Sequence, residues 1–295
     1  MEALRIALIG YGEVGGILGT ALGKHAPASL RAYDLLFDDP ARRGPALERA
    51  RANGVEPADS AAAAVADATL IVCAVTASQA LPAARSARAG IRKDAWYLDL
   101  NSASPKTKRE CAAVVEGAGG RYVEMAVMTS VPPYGIAVPM LSGGPHARAI
   151  APLVAGLGFR AEIASEELGV ASAIKMCRSG IVKGMEAIVI ESFIAARRYG
   201  VEREVLASLA ETFPGIDWEK QGSYFFQRVV AHGKRRAEEM REASVTYREV
   251  GLAGGMAAAT SELESWVTAL KESGTFAETP RDAAWRDFAD RIERR

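Results

Sequence analysis

An apolar run, Leu4-Arg5-Ile6-Ala7-Leu8-Ile9, passes directly into Gly10, Gly12 and Gly15 at G-x-G-x-x-G spacing, and helical periodicity in Val14, Ile17, Leu18, Ala21 and Leu22 follows at once. This order reads as a buried parallel strand, a tight turn and a helix start. Gly10 permits the turn, Gly12 leaves the backbone open to a pyrophosphate, and Gly15 lets the helix pack close to its strand. The first helical turn, with Tyr11, Glu13 and Val14 around it, then offers its N–H groups and dipole to phosphates.

A second strand, Ser29-Leu30-Arg31-Ala32-Tyr33-Asp34, ends in an acid nineteen residues past Gly15. At that place a carboxylate accepts hydrogen bonds from an adenosine ribose. Strand, glycines, helix and acid in this order point to a bound dinucleotide. The charge of Asp34 repels a 2′-phosphate, so NAD is favoured over NADP; Arg42 and Arg43 follow closely and keep NADP open, although a solvated loop is their simpler reading.

At 295 residues the chain has the length of about two domains, and 49% hydrophobic residues suffice for substantial cores. Lys and Arg number 36 and Asp and Glu number 36, so there is no overall basic field for nucleic acid or an acidic membrane. Cys73, Cys111 and Cys177 are odd in number and widely spaced, which makes neither a disulfide framework nor a metal cluster. No signal-peptide pattern opens the chain, and its most apolar later stretch, Ala61 to Val75, is interrupted by Asp67. A cytoplasmic protein is expected.

Further strands are expected at Asn53 to Pro57, Thr69 to Val75, Trp96 to Leu100, Tyr122 to Val127, Val138 to Ser142 and Arg160 to Ile163. The end of the Thr69–Val75 strand puts Val75 and Thr76 beside the cofactor, because ligands of open α/β sheets bind outside the carboxyl ends of strands. Ser60 and Ser104 are N-cap candidates, and Pro105 suits a first helical position. From Ser165 the pattern is helical: Val170 to Tyr199 without proline, then Trp218 to Glu242, Val245 to Lys271 and a terminal helix from Thr279-Pro280. The expected fold is an α/β Rossmann domain with a mostly parallel, doubly wound sheet over 1–164, followed by an all-α domain over 165–295.

With its glycine turn, strand order and long lysine-bearing helix, the chain resembles the β-hydroxyacid dehydrogenase family, which includes 3-hydroxyisobutyrate dehydrogenase and 6-phosphogluconate dehydrogenase. The family's substrate segment D-x-S-T-x-x-P is matched by Asp99, Asn101, Ser102 and Pro105, with Asn in place of Ser. Its G-x-G-x-x-x-K-x-x-N-N helix is matched by Gly169, Ala171 and Lys175, after which Arg178 and Ser179 replace the two asparagines. The D-A-P-V-S-G-G loop corresponds to Glu124 through Ser130, so Met128 and Thr129 stand in a segment that has lost its Ser-Gly-Gly carboxylate grip. His232 stands where the family has a later lysine. The helical half is similar to a branch whose C-terminal domain is of unknown function.

The resemblance implies hydride transfer between NAD or NADP and a small 3-hydroxy acid or its carbonyl counterpart, with Lys175 as general acid/base. A lysine serves in that role when burial or a neighbouring cation favours its neutral form. Asn101 and Ser102, just past a strand end, are expected to touch substrate, with Met128, Thr129, Arg178, Ser179 and His232 as further contacts. Arg178 lies one helical turn from Lys175, and its forked donors suit a carboxylate; an ion pair with Glu124 is the alternative. Lys234, Arg235 and Arg236 with Glu238 and Glu239 read as a solvated, self-paired face, and Trp218, Tyr224, Phe225 and Phe226 as core. No metal site is expected, and the helical domain is expected to form a homodimer. The rivals are an imine reductase, which usually lacks this lysine, and a dinucleotide-binding sensor without turnover.

Overall fold

The alternation of residues in the first strands decides the layering. Ile6 and Leu8 face one side of the sheet with Leu70, Val72, Leu98 and Val123, whereas Ala7 and Ile9 face the other with Ile71, Cys73, Tyr97 and Tyr122. Both faces are apolar, so both must be covered. The structure, a computed structural model, describes residues 3–293, and the chain divides into two compact units, 1–176 and 177–295.

In the first unit, β1 (Arg5–Ile9), β2 (Ser29–Tyr33), β3 (Glu56–Pro57), β4 (Leu70–Cys73), β5 (Trp96–Asp99), β6 (Arg121–Val127), β7 (Pro139–Gly143) and β8 (Arg160–Ser165) form one sheet. Its order is β3-β2-β1-β4-β5-β6-β7-β8. Only β6 and β7 pair antiparallel. One face is covered by α1 (Glu13–Gly23), with α2 (Arg43–Ala52) and, further along the chain, the helix Ala147–Gly156. The other is covered by α3 (Ala61–Val65), α4 (Ala80–Ala87) and α5 (Pro105–Glu116), whose alanines let them lie close. The Ala147–Gly156 helix is α6. The expected caps form: Ser60 Oγ accepts from Ala63 N–H at 3.1 Å, and Ser104 Oγ from Thr107 N–H at 3.2 Å. Strand order reverses between β1 and β4, and a crevice at the carboxyl ends of the strands follows from that reversal.

The second unit is helical, comprising most of α7 (Val170–Tyr199), α8 (Glu202–Thr212), α9 (Trp218–Glu249), α10 (Gly255–Glu272) and α11 (Trp285–Glu293). The division thus falls inside α7, past the expected boundary at 164. Ile190, Phe193, Phe225, Phe226, Val229, Trp285 and Phe288 form its core. Trp218 joins them, but Tyr224 is exposed, which corrects its reading as core.

Two expected helix ends move. α9 runs on to Glu249, because Ala243 and Ser244 are small buried residues that interrupt the apolar pattern without breaking the backbone. The break runs from Gly251 to Gly254, whose φ of +82° and +67° suit glycine. The terminal helix begins at Trp285 rather than Pro280; residues from Pro280 form a turn, and the fully buried Trp285 ring packs on Phe193 at 4.9 Å.

The charged stretch of α9 also departs from expectation. Gly233, Arg236, Ala237 and Met240 share one helix face, and that face is buried. Arg236 therefore enters the interior, where it pairs with Glu186 and reaches Glu264 at 3.4 Å; Glu239 is buried against Lys183 at 2.8 Å. Of the charged residues in this stretch, Lys234 and Arg235 are the exposed ones.

Glu264 has no exposed surface, and burial pushes its carboxyl up from 4.5 to about 7, against the opposing pull of Arg236 and Lys183. Between these two values the folded unit holds a proton that the unfolded chain has released. Its stability is therefore full below about pH 4.5 and falls as pH rises through 7, with a slope of about 1.4 kcal/mol per pH unit for one proton. Urea titrations from pH 5 to 8 should show this fall in the wild type, and Glu264→Gln should flatten it. Among the described residues, no helix is long and apolar enough to cross a membrane.

Candidate active site

The turn after β1 is shaped by what cannot fit there. Gly10 has φ +90°, and a Cβ on it would strike the Ala74 carbonyl; a Cβ on Gly15 would strike the carbonyl oxygen of Gly10. The missing Cβ of Gly12 faces open space within 4 Å. That combination suits a pyrophosphate lying on the Gly12 backbone at the start of α1. Gly12→Ala is expected to leave the melting temperature unchanged and abolish the upward shift given by NADH. Gly15→Ala should lose that shift and also about 1–3 kcal/mol of stability, since the backbone itself must move.

Asp34 stands at the end of β2. Its Oδ2 accepts from Tyr11 N–H at 2.6 Å and its Oδ1 from Leu36 N–H at 2.8 Å, so the carboxylate is fixed beside the glycine turn with lone pairs to spare. The Tyr11 side chain is fully buried, its hydroxyl accepting from Asn53 at 3.1 Å, while Arg49 holds the Tyr11 carbonyl at 2.6 Å. Tyr11 as a whole is buried, its N–H given to Asp34 and its carbonyl to Arg49, so it shapes the turn from within. Glu13 is exposed and Val14 half-buried on the first turn of α1.

Val75, half-buried, and Thr76, exposed, follow β4. Val75 N–H donates to Asn101 Oδ1 at 2.6 Å, and Asn101 Nδ2 reaches Cys73 Sγ at 3.4 Å. Asn101 is buried, and its amide clips the end of β4 to the end of β5. This gives it a structural task beside the substrate contact expected of it. The next residue differs: Ser102 Oγ accepts a 2.6 Å hydrogen bond from Lys175 Nζ, and both side chains are half-buried. The residues that sequence places 73 apart thus meet.

Lys175 is brought there by the start of α7, and the start of α7 is fixed by Glu124. The Glu124 carboxylate, fully buried on β6, accepts from the N–H groups of Gly169, Ala171 and Ser172 at 2.8, 3.2 and 3.3 Å. A negative charge at a helix N-terminus is favourable and satisfies donors that lack intrahelical partners. Glu124, weighed above as an ion-pair partner, is therefore a helix cap. Its sequence signal was a single carboxylate inside an otherwise apolar strand. Met128 and Thr129 lie just past β6, Met128 donating its N–H to Pro139 at 2.9 Å and Thr129 exposed. In the helical unit, Arg178 is exposed and Ser179 buried on α7, and His232 is exposed on α9.

Beneath Ser102 lies a pair that the sequence reading missed. Lys108 Nζ bonds Asp99 Oδ1 and the Asp99 carbonyl, each at 2.9 Å, and Tyr122 donates to Asp99 Oδ2 at 2.6 Å. Lys108 falls on the face of α5 that also carries Pro105, Cys111, Ala112 and Val115, all buried. A lysine in that apolar register was the available clue.

Residues 5–147 match the model of the NAD binding domain of 6-phosphogluconate dehydrogenase, and residues 196–267 match a domain of unknown function, DUF1932. A conserved hypothetical protein from Sinorhizobium meliloti 1021 is 37% identical, with a TM-score of 0.76, and the match covers 99% of this chain and 96% of that one. The chain belongs to the β-hydroxyacid dehydrogenase family, in the branch with this C-terminal domain. Within it, the conserved protein MTH1747, described as structurally similar to 3-hydroxyacid dehydrogenases, is 30% identical over 92% of this chain and 99% of its own, with a TM-score of 0.67. An uncharacterized 28.5 kDa protein of Methanothermus fervidus is 28% identical over 176 residues, and the match spans 65% of that relative's length. The fold is shared with Mycobacterium tuberculosis 3-hydroxyisobutyrate dehydrogenase (18% identity, covering 98% and 99% of the chains, TM-score 0.66) and with a reductive aminase from Aspergillus terreus (17%, 99% of each, TM-score 0.53).

Proposed function

We propose that the protein is an NAD(P)-dependent oxidoreductase that interconverts a small 3-hydroxy acid and its carbonyl counterpart, with Lys175 moving the proton. The observation that carries this reading is the 2.6 Å bond between Lys175 Nζ and Ser102 Oγ, at the sheet edge where the glycine turn and Val75 also end. A nicotinamide bound there supplies the acceptor or donor of hydride. Gly10, Gly12, Gly15 and the first turn of α1 would hold its pyrophosphate, and Asp34 its ribose. The fixed charge of Asp34 favours NAD over NADP, and Arg42 is engaged with Asp39 at 2.6 Å.

Ser102 orients the Lys175 amine. In the oxidative direction a neutral Lys175 takes the hydroxyl proton; in the reductive direction its ammonium returns one to the forming alkoxide. Arg178, Ser179 and His232 stay as candidate substrate contacts on chemical grounds, Arg178 for a carboxylate.

We further read the protein as a cytoplasmic homodimer formed through its helical unit. Ile174, Ile181, Met185 and Ile188 make an exposed apolar stripe along α7, with Ile181 70% exposed. Ile181→Glu should convert a dimer to a monomer by light scattering; a wild type that is already monomeric contradicts this part.

The test of function is a spectrophotometric screen of 3-hydroxy acids with NAD+ and NADP+, beside mixtures of carbonyls and amines with NADH and NADPH. Oxidation of a 3-hydroxy acid, faster with NAD+, supports the reading. Activity confined to amine mixtures supports an imine reductase, against which the retained Lys175 counts. Binding without any turnover supports a sensor.

A further inference from the structure

We infer that Lys108 is a positioning residue, which acts through Asp99 to set the place of the Ser102 hydroxyl that receives Lys175. The inference rests on the reading of Lys175 and Ser102 given above and adds to it a residue that touches neither substrate nor cofactor.

The Asp99 carboxylate is fully engaged on three sides. Lys108 Nζ and Asn101 N–H both reach Oδ1 at 2.9 Å, and the Tyr122 hydroxyl reaches Oδ2 at 2.6 Å. Lys108 also holds the Asp99 carbonyl. From Asp99 the restraint passes along the chain, since Asn101 is fixed by its own N–H, by Val75 on its Oδ1, and by Ala103, whose N–H donates to the Asn101 carbonyl at 3.0 Å. Ser102 sits between these two fixed residues. Its backbone is thereby fixed on both sides, and its hydroxyl accepts from Lys175 at 2.6 Å.

A buried ion pair is poor evidence for stability, because an apolar pair of similar volume holds two elements together at least as well. Lys108 and Asp99 are each 1% exposed. Mere attachment of α5 to β5 does not explain charges there, whereas fixing the direction of a turn does, because directional bonds define a position that apolar packing leaves loose. The other titratable groups around Asp99 include the thiols of Cys73 and Cys111 and the Tyr97 phenol, all pushed up by burial and by the Asp99 charge, and all neutral.

The test is a double-mutant cycle read by the pH dependence of Lys175 labelling. Trace acetylation with acetic anhydride, followed by peptide mass spectrometry, gives the titration midpoint of Lys175 in the full chain without any need for turnover. Ser102→Ala removes an acceptor that favours the ammonium, so the midpoint should fall. Lys108→Met should also lower it, and the double variant should match Ser102→Ala alone. Lys108→Arg should retain much of the wild-type midpoint. If Lys108 acted only by its field, its removal would leave Asp99 uncompensated and raise the midpoint; if it served only the fold, the midpoint would not move. Either result, or additivity in the double variant, overturns the inference. Should Lys108→Met fail to fold, Tyr122→Phe loosens the same carboxylate and should lower the midpoint to a smaller extent.

Where a substrate is found, kcat should fall about 10- to 100-fold in Lys108→Met, and adding Lys108→Met to Ser102→Ala should cause no further loss. Coupled labelling with no turnover on any substrate would sink the dehydrogenase reading and leave the coupling standing. Turnover with additive labelling would do the reverse.

Discussion

Lys175→Ala is expected to lower kcat by about 10²- to 10⁴-fold while NADH still binds, because general acid/base transfer contributes on that scale. The lysine is half-buried and donates to Ser102, so its ammonium is directed rather than freely rotating in solvent. Removing it leaves the glycine turn and Asp34, at the ends of β1 and β2, untouched. Binding and catalysis should therefore separate: NADH titration by fluorescence unchanged, turnover nearly lost, and the lysine-dependent limb of the pH–rate profile gone. Equal turnover in mutant and wild type would exclude Lys175 as the proton-transfer group. A mutant that fails to bind NADH would point instead to a structural role.

The second large effect lies in the helical unit. Arg236→Met should destabilise it by about 3–5 kcal/mol, because Glu186 and Glu264 would be left in the interior without their shared cation. Arg236 is 3% exposed, Glu186 1% and Glu264 0%, so none can turn to water in compensation. By contrast, Arg235 is exposed, and its 3.2 Å pair with Glu239 is of the kind worth about 0.3–0.5 kcal/mol on a helix. Arg235→Met should therefore be nearly neutral in urea unfolding, although the two arginines are neighbours in sequence. Similar losses in both would mean that Arg236 is not the buried cation of this cluster.

That contrast shows where the sequence stops being legible. The doubly wound sheet could be read because Ile6, Ala7, Leu8 and Ile9 alternate between two apolar faces and Gly10, Gly12 and Gly15 leave few geometries open. The start and end of α7 were equally plain, since thirty residues of helical spacing run without proline. Composition, however, treats every charge as solvated. Arg236, Glu239, Lys108 and Glu124 are each assigned to the interior by helix phase or strand register, a property of tertiary packing that a run of charged letters hides. Asn101 illustrates a complementary limit: a polar residue at the right edge reads as a substrate contact, and its letter alone does not show that its amide also serves the N–H of Val75 as acceptor. Ser102, one residue on, accepts from Lys175 at 2.6 Å, a meeting across 73 residues that only the folded chain brings about.

The central claim is hydride transfer at the site that holds Lys175 and Ser102. The most direct measurement is incubation of the protein with NADH deuterated at C4 of the nicotinamide and a panel of 3-oxo acids, followed by mass spectrometry of the hydroxy-acid products. The account predicts one deuterium at the reduced carbon with wild-type protein and its near absence with Lys175→Ala. Saturable NADH binding with no label in any product, or equal label with the two proteins, would contradict it.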